Sequence, residues 1–568
     1  MRWLADWQRW GFVAMGVSKH LQKKFTRLEK NTMVVLATVI ILCMGALVVW
    51  QNQKGTVKPL QGGIFIEGVV GRPQIINPLY VQAGTAEGDI TKLVFAGLVN
   101  LGPGRDFLPD LAESWEVQNK GKSYTFHLRD DLRWQDGEKL TTDDIVFTIK
   151  VIQAEGYSGP FRNDWLAINP VAVDDKTIRF DLPDPSTFFL TKATLGIIPQ
   201  HMFAHLPVAD IGTIQFNSQP VGSGPYRIAS MPSGQESFVL ESNPYYYQGQ
   251  ALIDKIIFSI FDNEKSMLSA LLNGNITAAG FSTSVVENLS DTSGLNKYIY
   301  SLPQYKAVFF NQMGGNKALE DVVVRRALAL STDKERIIKE AIGGYGVRAD
   351  SPILPGFWGH LPDMKKYNFD IAAAADTLVK AGWKDVDNDN IVEKGKIKLS
   401  LMLSYKDDKS NTTLANILAD NWRKIGAEVN LNPLNSGDLV NQIIRPRNYE
   451  ALVFGQSMGA DSDPYAYWHS SQTADPGLAL SVMYDKDIDN PLEMIRLSSD
   501  LNRSIGYCHN FQNAFASSVP AVLLYQPIYT YVVDNKVKGT SESINLSSTG
   551  DRFMDIHNWY IRSQKTVL

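Results

Sequence analysis

A chain of 568 residues exceeds what one hydrophobic core organises and should divide into two or three domains. With 44% apolar and 20% charged residues, its composition is that of an ordered globular protein and excludes a disordered one. The net charge of −5 conceals an asymmetry, since residues 1–30 carry +5 and the remainder −10; that body lacks the basic clustering of a nucleic-acid-binding face.

Residues 1–32 form a basic segment in which Trp3, Trp7 and Trp10 recur at helical spacing, the pattern of an amphipathic helix on a membrane surface. The run "MVVLATVIILCMGALVVW" at 33–50 is uninterrupted by charge and long enough for a transmembrane helix across ~30 Å of hydrocarbon. The basic residues all precede it, so the N-terminus is expected in the cytoplasm and the rest outside the cytoplasmic membrane. A cleaved signal peptide is the alternative, but 32 residues before the apolar run and the lack of a small-residue cleavage site favour an uncleaved anchor. Residues 51–61 are polar and aperiodic, as in a linker. Cys43 in the span and Cys508 in the body cannot pair, so the exported part relies on its core alone.

Beyond the linker, apolar residues alternate at Trp115/Val117 and Tyr124/Phe126/Leu128 around a turn at 119–121, and again at Ile178, Phe180 and Leu182, predicting antiparallel strands. A further strand is expected at 253–261. Helices are predicted at "TTDDIVFTIKVI", at "DNEKSMLSALLNGN" from an Asp262/Asn263 cap to Gly274, and at "STDKERIIKEAIGG" with a Thr332/Glu335 capping box. From about 370, helices and strands alternate and end in the apolar run "YEALVFGQSMG", which together predict an α/β lobe.

Several motifs invite a chemical reading. In "KDVDNDNIVEKGK", Asp385, Asp387 and Asp389 occupy the first, third and fifth positions of a calcium loop, but Asn390 stands where glycine is required and Lys396 where the twelfth-position acid belongs. A solvated helix-to-strand turn is therefore expected, with a weak calcium site as the alternative. His201 and His205 have zinc spacing without the accompanying glutamate or third ligand. Ser223 in "VGSGPY" lacks the glycine spacing of a nucleophile turn. No acid, base and nucleophile assemble, so no enzyme, no metal and no cofactor is expected. The segment "FGQSMGADSDPYAYWHSSQ" combines the end of a buried strand with Gln456, Met458, Asp461, Asp463, Tyr465, Tyr467 and Trp468. Ligands in α/β lobes gather at the carboxyl ends of strands, and aromatics with a few carboxylates make apolar walls with an ammonium clamp. An ordinary surface turn remains the alternative.

The stretches "LVFAGLVNL", "LAESWEVQNKGKSYTFHLRDDLRWQDGEKLTTDDIVFTI", "PVGSGPYRI", "NPYYYQGQALIDKIIFSIF", "LEDVVVRRALALSTDKERIIKEAIGGYG" and "FDIAAAADTLVKAGW", in that order, resemble the family-5 extracellular solute-binding proteins of bacterial ABC importers, the oligopeptide, dipeptide and nickel type. The resemblance implies a bilobal periplasmic-binding-protein-like α/β fold of type II, preceded here by the transmembrane helix. It implies lobe I at 62–305 with a subdomain at 98–214, lobe II at 306–522, and a return to lobe I at 523–568. It further implies a monomeric receptor that closes on a peptide or other small solute and delivers it to ABC permease and ATPase subunits. By the same analogy Asp461 matches an amine clamp, although its spacing to the proline is one residue short, and Lys406 and Lys409 lie where a peptide carboxylate would be received. An oligosaccharide, a metal chelate or another solute, or a surface chaperone or sensor role without transport, are the alternatives.

Overall fold

The computed structural model describes residues 26–566 apart from 54–55, 82–83, 187, 214, 231–236, 283, 287–293, 460–462, 499 and 542–544. The tryptophan-bearing segment at 1–25 and Asp461 lie outside the described residues. The chain divides into two compact units, residues 1–60 with 562–568, and residues 61–561.

In the first unit a helix, Arg27–Gln53, runs through the apolar stretch, and its positions 31–44 are exposed. Among the described residues no helix is long and apolar enough to cross a membrane. The expected linker is corrected in part. Residues Thr56–Leu60 form a strand paired antiparallel with Arg562–Thr566. Its ladder partner lies some 500 positions away, beyond the reach of a reading of local composition.

The second unit is bilobal α/β. One half of its main sheet carries Glu428–Leu434, Ser400–Lys406 and Ala451–Ser457 in parallel, followed by the antiparallel Gln304–Phe310. Helix Lys409–Arg423 crosses over between the first two of these and buries Leu414, Leu418 and Trp422 against them. The other half is built on Ala278–Phe281, Ile64–Val70 and Lys255–Phe261, again parallel, with Ser237–Ser242 and Tyr226–Ser230 added antiparallel. The 14-residue strand Ala521–Asp534 belongs to both. Its first part pairs with Gln304–Phe310 and its second with Leu295–Ser301 and Ala278–Phe281. Where it changes sheets, the Leu302 N–H donates to the Pro527 carbonyl (3.1 Å) and the Gln526 amide to the Leu302 carbonyl (2.7 Å). Two adjacent strands thus connect the lobes, each with a proline at the crossing (Pro303 and Pro527) that cannot donate to a ladder.

Local chemistry accounts for most elements. Asn263 caps helix Glu264–Leu272, and Thr141 with Asp144 forms the box that starts Thr142–Gln153. The Thr332 capping box does not form: Asp333 caps Lys334–Ile342 instead, and the Thr332 hydroxyl donates to the Leu328 carbonyl (2.7 Å). Asp wins because its carboxylate accepts from the Arg336 N–H while favouring the positive end of the helix. The expected hairpin joins Ala112–Gln118 to Ser123–Leu128 through Asn119, Lys120 and Gly121, all with positive φ. It belongs to a four-stranded sheet with Asn169–Asp174 and Thr177–Asp181 that shares one core with the first lobe. In "VGSGPY", a Cβ on Gly222 would lie 1.9 Å from the Val94 carbonyl oxygen, and the Ser223 hydroxyl accepts from the Ala96 N–H. The motif is therefore a close backbone crossing, with its serine committed to structure.

Candidate functional site

A cavity of about 390 Å³ opens where helix Ala86–Val94 meets the loop after it, the segment 191–196 and the C-terminal return at 547–554. The helix is anchored by Thr85, whose hydroxyl accepts from the Gly88 N–H (3.1 Å), and by burial of Ile90, Leu93 and Val94. That placement leaves Thr91 and Lys92 on the cavity wall. Phe95, Phe161, Trp165, Leu195 and Phe553 supply apolar surface. From the other lobe comes Met458, just past strand Ala451–Ser457, whose N–H donates to Pro303 at the crossing (2.7 Å). Met458 thus brings the second lobe to the cavity wall, so the cavity lies where the two lobes meet.

Its charges are of both signs. Lys92 pairs with Asp551, and Lys192 with Asp164 at 2.8 Å. The Lys92 side chain is part-exposed to the cleft, yet burial by the surrounding protein pulls its pKa down to about 8. Asp110 is 7% exposed, and burial raises its carboxyl to about 6 against the opposing hydrogen bond from Tyr247 (2.7 Å). Arg129 stands near, but its Nε donates to the Asp110 backbone carbonyl (2.6 Å) and its guanidinium lies over the Tyr247 ring. Among the described residues no lysine or arginine forms an ion pair with Asp110. Behind this wall, Arg552 is buried between Glu67 (2.8 Å) and Asp89 (2.6 Å), fixing the helix to the sheet and to the C-terminal return.

Two contacts bridge the lobes. Phe188, 4% exposed, stacks on Trp358 with ring centres 5.2 Å apart and packs into a core built by residues of the second lobe. Arg105, whose backbone has φ 65°, places its guanidinium 3.4 Å from the centre of the Phe357 ring and donates to the Leu546 carbonyl (2.6 Å).

Among the candidates expected from sequence, Met458 lines this cavity. Gln456 is held at both ends, accepting from the Tyr305 hydroxyl (2.8 Å) and donating to the Leu478 carbonyl (2.7 Å). Asp463 is buried, ion-paired to Arg496 (2.6 Å) and accepting from the Tyr465 N–H. That arginine covers the Tyr465 ring, which stacks on His469 with centres 4.1 Å apart. Tyr467 donates to the Ser457 carbonyl (2.7 Å). Trp468 is 1% exposed and packs against Tyr305, Phe309 and Phe515, so its ring belongs to the core of the second lobe and not to an open wall. Lys406 is exposed, 3.5 Å from Asp408, and Lys409 is exposed at the start of its helix. Lys92 and Asp110 carry no local signal, since a lysine on an amphipathic helix and an aspartate after a proline are commonplace.

The family model for "Bacterial extracellular solute-binding proteins, family 5 Middle" matches residues 106–477. The chain belongs to that family, whose members are solute-binding receptors. Among curated relatives, the oligopeptide-binding protein AppA of Bacillus subtilis is 26% identical over 515 residues, covering 89% of this chain and 94% of AppA. The structure of that protein with a nonapeptide superposes with a TM-score of 0.70 at 25% identity, over 89% of this chain and 100% of the other. NikZ of Campylobacter jejuni in complex with Ni(L-His) has the same TM-score at 26% identity, over 88% and 99%.

Proposed function

We propose that this protein is a membrane-tethered receptor of an ABC importer that captures peptides in the cleft between its lobes, closes by bending at the two connecting strands, and presents the closed form to a permease. The observation that carries the reading is the cavity at the lobe boundary, walled by aromatic and aliphatic groups and holding Lys92, Lys192 and a buried carboxylate, Asp110, without an ion-paired cation. Such a site suits a ligand with an ammonium at one end, a carboxylate at the other and apolar groups between. The oligopeptide and dipeptide names of its relatives support peptides over other solutes. Asp461, which in the sequence stands three residues after Met458 and two before Asp463, is proposed as a second ligand contact. Calorimetry with peptides of two to nine residues should give saturable heats. Heat from oligosaccharides or nickel–histidine alone would reject the peptide assignment.

The tether rests on the apolar run within helix Arg27–Gln53 and on the basic residues before it. Alkaline carbonate washing should leave the full chain with the membranes, and its release into the wash would refute a spanning anchor.

A further inference from the structure

The acid-rich turn at 385–393 departs from the sequence expectation in one respect. Its aspartates do build local turns: Asp385 accepts from the Asn388 and Asn390 N–H groups, and Asp389 from that of Ile391. But the chain then doubles back, and Glu393 pairs with Lys384 through reciprocal backbone hydrogen bonds of 2.9 and 3.0 Å. This brings the Glu393 carboxylate under the turn. Asp385, Asp387 and Glu393 each offer an oxygen, and these oxygens lie within 4.8 Å of one another.

Clustered acids alone prove nothing. The independent observation concerns Glu393, which is only 9% exposed. Its Oε1 accepts from the Val386 N–H (3.0 Å), whereas its Oε2 is buried and has no hydrogen-bond partner. A buried carboxylate oxygen without a donor is rare, because the cost of stripping its water goes uncompensated. Lys398 reaches Asp387 and Asp389, leaving that oxygen unmet. A cation among the three carboxylates would satisfy it and relieve their mutual repulsion.

We infer that residues 385–393 bind a calcium ion, with Asp385, Asp387 and Glu393 as ligands. Three hard carboxylate oxygens without histidine or cysteine exclude a soft-metal preference. A spread of up to 4.8 Å also accommodates an ion that holds its ligands at ~2.4 Å. The acid missing from the twelfth position of the calcium template is supplied from the ninth, by the backbone pairing of Glu393 with Lys384. The ion's role is structural. Val392 N–H donates to the Gly426 carbonyl (2.8 Å) and Trp383 Nε1 to Asp321 (3.2 Å), so closing this turn tightens the junction of a helix and a strand in the second lobe.

The test uses the full chain, stripped of divalent ions with a chelator and dialysed. Terbium luminescence excited through Trp383, two residues from Asp385, should appear on titration and be displaced by calcium with a Kd of ~10⁻⁴ M, the range of extracellular sites. Calcium should raise the unfolding midpoint by a few degrees, and magnesium at equal concentration should not. E393Q and D385N should each weaken calcium at least tenfold, with the ion-free proteins still unfolding cooperatively near the wild-type midpoint. No calcium-displaceable terbium signal, magnesium as effective as calcium, or variants that respond to calcium like the wild type would each overturn the site.

Discussion

Replacing Asp110 by asparagine isolates the cost of holding an unpaired carboxylate in the cleft wall. Burial raises its pKa from 3.8 to about 6, so the folded chain keeps its proton where the unfolded chain has lost it. Between about pH 4 and 6 the native state binds more protons, and unfolding free energy falls as pH rises, levelling off above 6. A displacement of about two units corresponds to about 3 kcal/mol. The amide introduced by D110N cannot ionise, but its oxygen still accepts from Tyr247, so the variant should lose this dependence alone. Urea unfolding of both proteins at pH 4 and pH 7.5 supplies the double difference, in which all other titrating groups cancel. D110N should gain about 3 kcal/mol relative to wild type on going from the lower to the higher pH. A difference between the proteins that does not change with pH would refute the reasoning.

Arg552→Met should destabilise the fold by about 3–5 kcal/mol at pH 8, because Glu67 and Asp89 lose their buried counter-charge, and by less at pH 5, where the Glu67 carboxyl, already raised by burial, can take up a proton; denaturation at the two pH values checks both. Phe188→Ala removes an aromatic side chain whose burial depends on contact between the lobes. With about 3 kcal/mol charged to the closed form alone, peptide affinity should fall ~100-fold by calorimetry while the unfolding midpoint changes little. The reverse pattern would show that Phe188 serves the fold and not closure.

Much of the fold is legible in sequence because it is local. The Asn263 cap, the hairpin turn at 119–121 and the helix–strand alternation after 370 depend on residues a few positions apart, and the structure realises each of them. The acid run was legible as a turn for the same reason, since Asx side chains act on backbone two to five residues away. Local pattern fails where two chemistries compete for one position, as when Asp333 rather than Thr332 caps its helix.

Composition and pattern alone determined the apolar N-terminal run, the mixed α/β class and most helix starts, because periodicity and capping are written in neighbouring residues. Only tertiary structure decided that one strand, Ala521–Asp534, serves both lobes, that Trp468 fills a core, and that Thr56–Leu60 pairs with the chain's far end. It likewise joined Lys92 to Asp551 across 459 positions and turned Glu393 toward Asp385. In each case the deciding partner is remote in sequence or reached through backbone register, and a side chain's own identity does not reveal which surface it will meet.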